Sequence, residues 1–482
     1  MTSIRTTLVL VIAASTLCGA CATRPVNPPI SEVDPKSGYR FVTREQHFKD
    51  KQNLVVLAFS GGGTRAAAFS YGVLEAMRPM EIIGPKGGRI RMLDEVDVVT
   101  GVSGGSFTAL AYGLYGEKLF DLYESSFLKR DVQGELVRRV LSPANWGAWS
   151  RSEVAAQLYD DILFHGATFA DLDRGTGPFI GATATDISTG GRIAFHQGIF
   201  DFLCSDVRTM RLSRAAAASS AVPFALAPVT LNNYGGTCHY TPPPALAVYS
   251  DPATAPRPAA RVLAHLRDLH ALENPARPYI HLVDGGLSDN LGMRGILEAL
   301  EDLEALNSMG MPTPLDDVKR IIMFIVNSRS VPTTNWDESE HPPSEISLLI
   351  KATGVPIDHY SYDTVETVRD IVSRWQTMRE LRNSAAFAAN KDPAVERLLR
   401  TPNIELYVID VSFPALNDPA EREYLNNLPT SFVLPPEAID RLRAAAAKII
   451  RDSPDFKRLL KDAGARMVEH PVATPAAKPE TH

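Results

Sequence analysis

Three short blocks carry the side chains and backbone that could do covalent chemistry. The pentapeptide Gly101-Val102-Ser103-Gly104-Gly105 sets a serine among glycines, between the apolar run Val96-Asp97-Val98-Val99-Thr100 and the small, apolar stretch 106–115. A serine at a tight strand-to-helix turn is held with its hydroxyl exposed, and small neighbours let that turn close. The helix that follows points free N–H groups at the site and favours a developing negative charge. Upstream, Ser60-Gly61-Gly62-Gly63-Thr64-Arg65 follows another apolar run. Successive glycines can turn their N–H groups inward, as an ester's tetrahedral oxyanion requires. The loop lacks the Gly-Lys-Ser/Thr ending of a Walker A loop and is not Gly-x-Gly-x-x-Gly, which argues against nucleotide binding. Arg65 is expected either to close the loop through an ion pair or to attract an anionic head group. Downstream, Val283-Asp284-Gly285-Gly286 puts an acid at the end of a predicted strand. Alone, Asp-Gly is also an ordinary turn pair.

A histidine is the usual base for a serine, and the chain has 11. His281 is nearest to Asp284, but the two-residue period of a strand points it to the other face. A hydrolase triad in the order serine, acid, histidine would need His341, His359, His470 or His482, and none of these sits in a recognisable motif. No His/Cys/Asp group has metal-ligand spacing, so no metal site is expected.

Strands are predicted at 54–59, 96–100, 179–182, 279–283, 321–326 and 406–411, and helices at 66–77 and 106–115. Strand, glycine turn, helix and strand again is the grammar of a parallel α/β sheet. Val365, Val368, Val372 and Trp375 keep one face of a further helix apolar, a stripe expected to face the core. Residues 240–258 read as a Pro- and Ala-rich insertion, and 328–344 as a polar loop. The organisation expected is a leader at 1–21, a tether and N-terminal segment at 22–50, one catalytic domain with insertions at 51–465, and a disordered tail at 466–482.

Of the 482 residues 45% are hydrophobic and 22% charged, ordinary for a globular protein. The net charge of −7 argues against nucleic acid as a partner. Arg5, the apolar run 7–14 and the small residues before Cys21 have the layout of a secretory leader, too short to span a bilayer. Gly19-Ala20-Cys21 resembles a bacterial lipobox, with Cys18 where leucine is usual. The expectation is an exported protein: a lipid-anchored lipoprotein of the bacterial envelope if Cys21 is lipidated, periplasmic or secreted if not. The Pro-rich stretch 22–30 would be its tether. For Cys204 and Cys238, sequence leaves open a disulfide or two buried thiols.

In this order, Gly61-Gly62-Gly63-Thr64-Arg65, Gly101-Val102-Ser103-Gly104-Gly105 and Asp284-Gly285-Gly286 resemble the patatin-like phospholipase family. Ala218-Ser219-Ser220-Ala221-Val222-Pro223-Phe224 resembles a fourth family segment. Ser60 stands where that family often has Asp, and Ala66 where Gly often follows the arginine. The resemblance implies a three-layer α/β/α sandwich with a mostly parallel central sheet. It also implies a serine lipid acyl hydrolase without cofactor, in which Asp284 is the base for Ser103. Gly61, Gly62 and Gly63 would form the oxyanion hole, with Arg65, Gly101, Gly105, Gly285 and Gly286 supporting the site. Membrane lipids or other acyl esters would be its substrates. The alternatives are a thioesterase or small-ester esterase, or a lipid-binding lipoprotein without turnover; retention of both Ser103 and Asp284 favours an enzyme.

Overall fold

The computed structural model describes residues 24–468 apart from 46–47, 49–50, 85–86, 146, 224, 242–259, 309–310, 333, 335, 389–391, 394 and 396–402. The leader, Cys21, nearly all of the 240–258 insertion and residues 469–482 thus lie outside the described residues. Apolar runs become the buried strands of one sheet: β1 (Asn53–Phe59), β4 (Val96–Val102), β5 (Phe179–Asp186), β8 (Tyr279–Asp284), β9 (Arg320–Asn327) and β10 (Glu405–Ser412). The short strands β6 (Arg192–Ala194) and β7 (Val229–Asn232) complete it. The strand order is β10-β9-β1-β4-β5-β8-β7, with β6 on β5. β10, β9, β1, β4 and β5 run parallel, whereas β8 pairs antiparallel with both β5 and β7. The sheet is therefore mostly parallel, as expected. A second, small sheet joins β2 (Met80–Ile83), β3 (Arg89–Arg91) and β11 (Arg466–Met467). The first two residues assigned to the tail are thus paired strand.

The principal helices are α1 (Gly63–Met77), α2 (Gly104–Tyr115), α3 (Leu212–Ser219), α4 (Gly286–Asp289), α5 (Arg294–Ser308), α6 (Glu345–Asn383) and α7 (Pro436–Asp452). From β1 the chain moves towards β4 and β5 through α1 and α2, while β9 leads to β10 in the opposite direction through α6. Right-handed crossovers in opposite directions put α1 and α2 on one face and α6 on the other, which makes three layers. On α6, Val368 and Trp375 are fully buried, as the apolar stripe predicts. The reversal falls between β1 and β9, and at such a point the loops beyond the strand ends diverge and leave a crevice.

The stretch read as a tether is instead a docked strap from Arg24 to Ile30. Asn27 Nδ2 donates to the Asn232 carbonyl at 2.9 Å, and the Asn232 N–H donates to Asn27 Oδ1 at 2.8 Å. Arg24 bonds to the Thr230 carbonyl and the Asn232 side chain. Ile30 N–H donates to the Cys204 carbonyl at 2.9 Å. The physical reason is that β7 is an edge strand whose polar backbone needs partners. Cys204 and Cys238 are joined by a disulfide, their Cα atoms 5.5 Å apart.

Candidate active site

The turn after β4 is a sharp elbow. Ser103 sits at φ 48° and ψ −119°, in the left-handed half of the map, and caps the N-terminus of α2. A side-chain-bearing residue is uncommon there, and such strain marks residues held for function. The elbow closes because its neighbours lack side chains. A Cβ on Gly104 would lie 2.0 Å from the Gly63 carbonyl oxygen, and one on Gly105 2.6 Å from that of Phe59. Gly101 is tight in the same sense, 2.8 Å from Ser106 Cα.

Ser103 Oγ donates to Asp284 Oδ2 at 2.8 Å. The other carboxylate oxygen accepts from the Gly286 N–H at 2.8 Å. Both side chains are buried. Burial pushes the Asp284 carboxyl up to about 6, against the opposing pull of the Gly286 N–H and the Ser103 hydroxyl. His281 is exposed and shares a hydrogen bond with Thr230 Oγ1 at 3.0 Å, on the face away from Asp284. His341 and His359 are exposed, and His470 and His482 lie outside the described residues.

The glycine loop begins α1. Gly62 (φ 140°) and Gly63 (φ 60°) adopt backbone conformations open to glycine, and their amides are the first at the positive end of that helix. No hydrogen-bond partner is recorded for either N–H among the described residues. Gly61 departs from expectation: its N–H is already given to the Asn290 carbonyl at 3.0 Å, so it is not an available oxyanion donor. Its part is to bring the loop against the nucleophile, since a Cβ there would sit 3.3 Å from Ser103 Cβ. The Arg65 guanidinium ties the loop to neighbouring segments: it donates to the Ser328 and Leu428 carbonyls at 2.7 and 2.8 Å and to Thr430 Oγ1 at 3.0 Å. Ser60, where an acid is common, accepts the Ser328 N–H at 2.9 Å, while Ser328 Oγ donates to the Gly61 carbonyl at 3.1 Å.

The turn after α3 joins the two halves of the site. Ser219 Oγ accepts the Ser103 N–H at 2.9 Å, and the Ser219 carbonyl accepts the Gly285 N–H at 3.0 Å. The Ala221 carbonyl accepts the Asp284 N–H at 3.0 Å. The fourth segment therefore fixes the backbone of Ser103 and Asp284 together; Phe224 lies outside the described residues. Asn290, Ser219 and Ser328 were not among the predicted site residues. Ser219 stands in the fourth segment, which has no predicted site role, whereas Asn290 and Ser328 stand in no motif.

A cavity of 590 Å³ opens onto Ser103 and Asp284. Gly62, Arg65, Asn290 and Val222 form part of its wall, and the loop after β9 and the start of α6 form much of the remainder. The loop at 328–344 is thus part of the site. A hydroxyl hydrogen-bonded to a buried carboxylate, beside two helix N-termini, is an arrangement that can carry out acyl transfer.

Among solved structures the chain is similar to human GIVD cytosolic phospholipase A2, with 14% identity and a TM-score of 0.39 over 92% of this chain and 69% of that one. It is also similar to VipD from Legionella pneumophila, with 11% identity and a TM-score of 0.29 over 87% of this chain and 68% of that one. No curated protein matches. The patatin-like phospholipase model matches residues 57–297, a span that holds the glycine loop, the Ser103 elbow, the Ser219 turn and Asp284. The chain belongs to the patatin-like phospholipase family, and so to the lipid acyl hydrolases.

Proposed function

We infer that the protein cleaves acyl esters of lipids through a Ser103–Asp284 dyad. The observation that carries this is the 2.8 Å hydrogen bond from Ser103 Oγ to Asp284 Oδ2 at a strained elbow. Asp284 takes the Ser103 proton as Oγ attacks the ester carbonyl carbon. The carbonyl oxygen becomes an oxyanion held by the Gly62 and Gly63 N–H groups. Collapse of the intermediate breaks the bond to the alcohol, and Asp284 returns the proton to the departing oxygen. Water, deprotonated by the same carboxylate, then attacks the acyl-serine; as the acyl–Oγ bond breaks, Asp284 returns that proton to Ser103 Oγ and the fatty acid is released. A carboxylate is a weak base for a serine; raising it to about 6 brings it nearer to working pH and narrows that mismatch.

A fluorophosphonate probe tests the dyad. The wild type is expected to label, Ser103→Ala not at all, and Asp284→Asn much more slowly. Equal labelling of Ser103→Ala would overturn the mechanism. The same proposal places the protein in the cell envelope, anchored through lipid on Cys21. Incorporation of radiolabelled fatty acid into wild type but not Cys21→Ala is the expected result, and equal incorporation removes the anchor.

A further inference from the structure

The helix that walls the cavity has a second face. Ser347, Lys351, Gly354 and Ile357, spaced four, three and three residues apart, lie on one side of α6 and line the cavity with Ser103 and Asp284. Leu348, Val355 and Tyr362 recur every seventh residue and form a stripe on its outer flank, 55, 40 and 57% exposed. The exposed stripe stops where the helix enters the core. Beyond it Thr364, Val368, Ile371 and Trp375 are buried. Among the described residues, the exposed large apolar side chains of α6 (Leu348, Val355, Tyr360 and Tyr362) all lie in its first half, the half that lines the cavity. Two more stand on the same rim: Val331, between the cavity-lining Ser330 and Pro332, and Val222, which lines the cavity itself.

We propose that residues 345–362 of α6, with Val331 and Val222, are the surface by which the protein seats on a lipid bilayer, Leu348 and Val355 entering the acyl layer. The occupant follows from continuity. The apolar side chains stand on the same helix and loop that line the cavity holding the Ser103–Asp284 pair, and the family's substrates are lipids, which reside in bilayers. A lipid leaving the bilayer crosses less water if the rim is already in the acyl layer. Lys351, on the cavity side of the same helix, can extend its ammonium to head-group depth while its stem stays apolar. This surface serves the site inferred above and rests on that inference for its purpose.

The experiment separates the two. Leu348→Trp in the full chain is mixed with vesicles of phosphatidylglycerol and phosphatidylethanolamine carrying brominated acyl chains. The emission gained over wild type is expected to shift to the blue and to be quenched by the bromines. Leu348→Asp combined with Val355→Asp is expected to hydrolyse vesicle phospholipid more slowly by about tenfold per side chain, the value of a buried aliphatic group. It should keep the wild-type rate on a water-soluble short-chain ester. Three results would overturn the surface: emission indifferent to vesicles, equal loss on soluble and vesicle substrates, or a wild-type dimer that the double variant dissociates, which would assign the stripe to a second copy. A wild type inert to both soluble ester and fluorophosphonate would refute the dyad instead, and the tryptophan emission, which needs no turnover, would still decide the surface.

Discussion

Replacing Asp284 by asparagine keeps the shape of the group and removes its charge. Burial raises this carboxyl from 3.8 to about 6, so the native state holds its proton more tightly than the unfolded chain does. Below about pH 4 the group is protonated in both states, and the stability from tighter proton binding is fully present. It is lost as pH rises through about 6, where the native state must ionise a buried group. The difference of about two pKa units corresponds to about 3 kcal/mol. Asparagine has no charge to desolvate. Its Oδ1 can still accept the Gly286 N–H, and its amide can face Ser103 Oγ, itself an acceptor. The variant is therefore expected to match the wild type near pH 4 and to exceed it by up to about 3 kcal/mol near pH 8. Turnover should fall by on the order of 10²–10⁴, the worth of a general base. Urea unfolding of both proteins across that range, followed by fluorescence, measures the difference. A gap that does not widen with pH, or one that favours the wild type at the alkaline end, would refute the picture of Asp284 as a desolvated carboxylate held for proton transfer.

The same carboxyl should make wild-type kcat/KM on a soluble ester rise with pH through about 6 and then level, because the base works ionised; a flat profile from pH 5 to 8 would exclude Asp284 as the base. Ser219→Ala removes the acceptor of the Ser103 N–H, and an unpaired buried donor costs about 1–3 kcal/mol. Its kcat should drop at least about tenfold with KM nearly unchanged, whereas Ser219→Thr should recover part of the loss. Gly104→Ala forces a Cβ to within 2.0 Å of the Gly63 carbonyl oxygen and must displace the oxyanion loop. Fluorophosphonate labelling at Ser103 should slow by more than tenfold if the loop acts as described. Reducing the Cys204–Cys238 bridge, which closes a separation of 34 residues, should lower unfolding stability by about 3–4 kcal/mol in urea with dithiothreitol, and an unchanged midpoint would show that the bridge constrains nothing.

The buried parallel strands were legible because each is an apolar run long enough to be distinguished from a turn. β6 and β7 were not, since three or four residues such as Arg192–Ala194 or Val229–Asn232 carry too little pattern. The direction of β8 was equally hidden: a strand buried on both faces near its end reads the same whether its neighbours run with it or against it. At the site, Ser103 and Asp284 announced themselves through the glycines that their turns demand. Asn290 and Ser328 act through hydrogen bonds to residues far away in the chain, and pairing of that kind leaves no local mark. Gly61 shows the converse. Three identical residues in a row suggest three equal donors, but one of them is consumed by the carbonyl of Asn290, which stands at the C-cap of α4, far along the chain.

The strap at 24–30 was read as a tether because proline and polar residues describe a loose chain. Docked along β7, it covers the open side of a strand that would otherwise present bare N–H and C=O groups to other molecules. Proteolysis or truncation beyond Ile30 would uncover that side and create a site for strand-to-strand aggregation, while cleavage at Cys21 would leave it sealed. The colloidal stability of the folded protein is thereby bound to those seven residues.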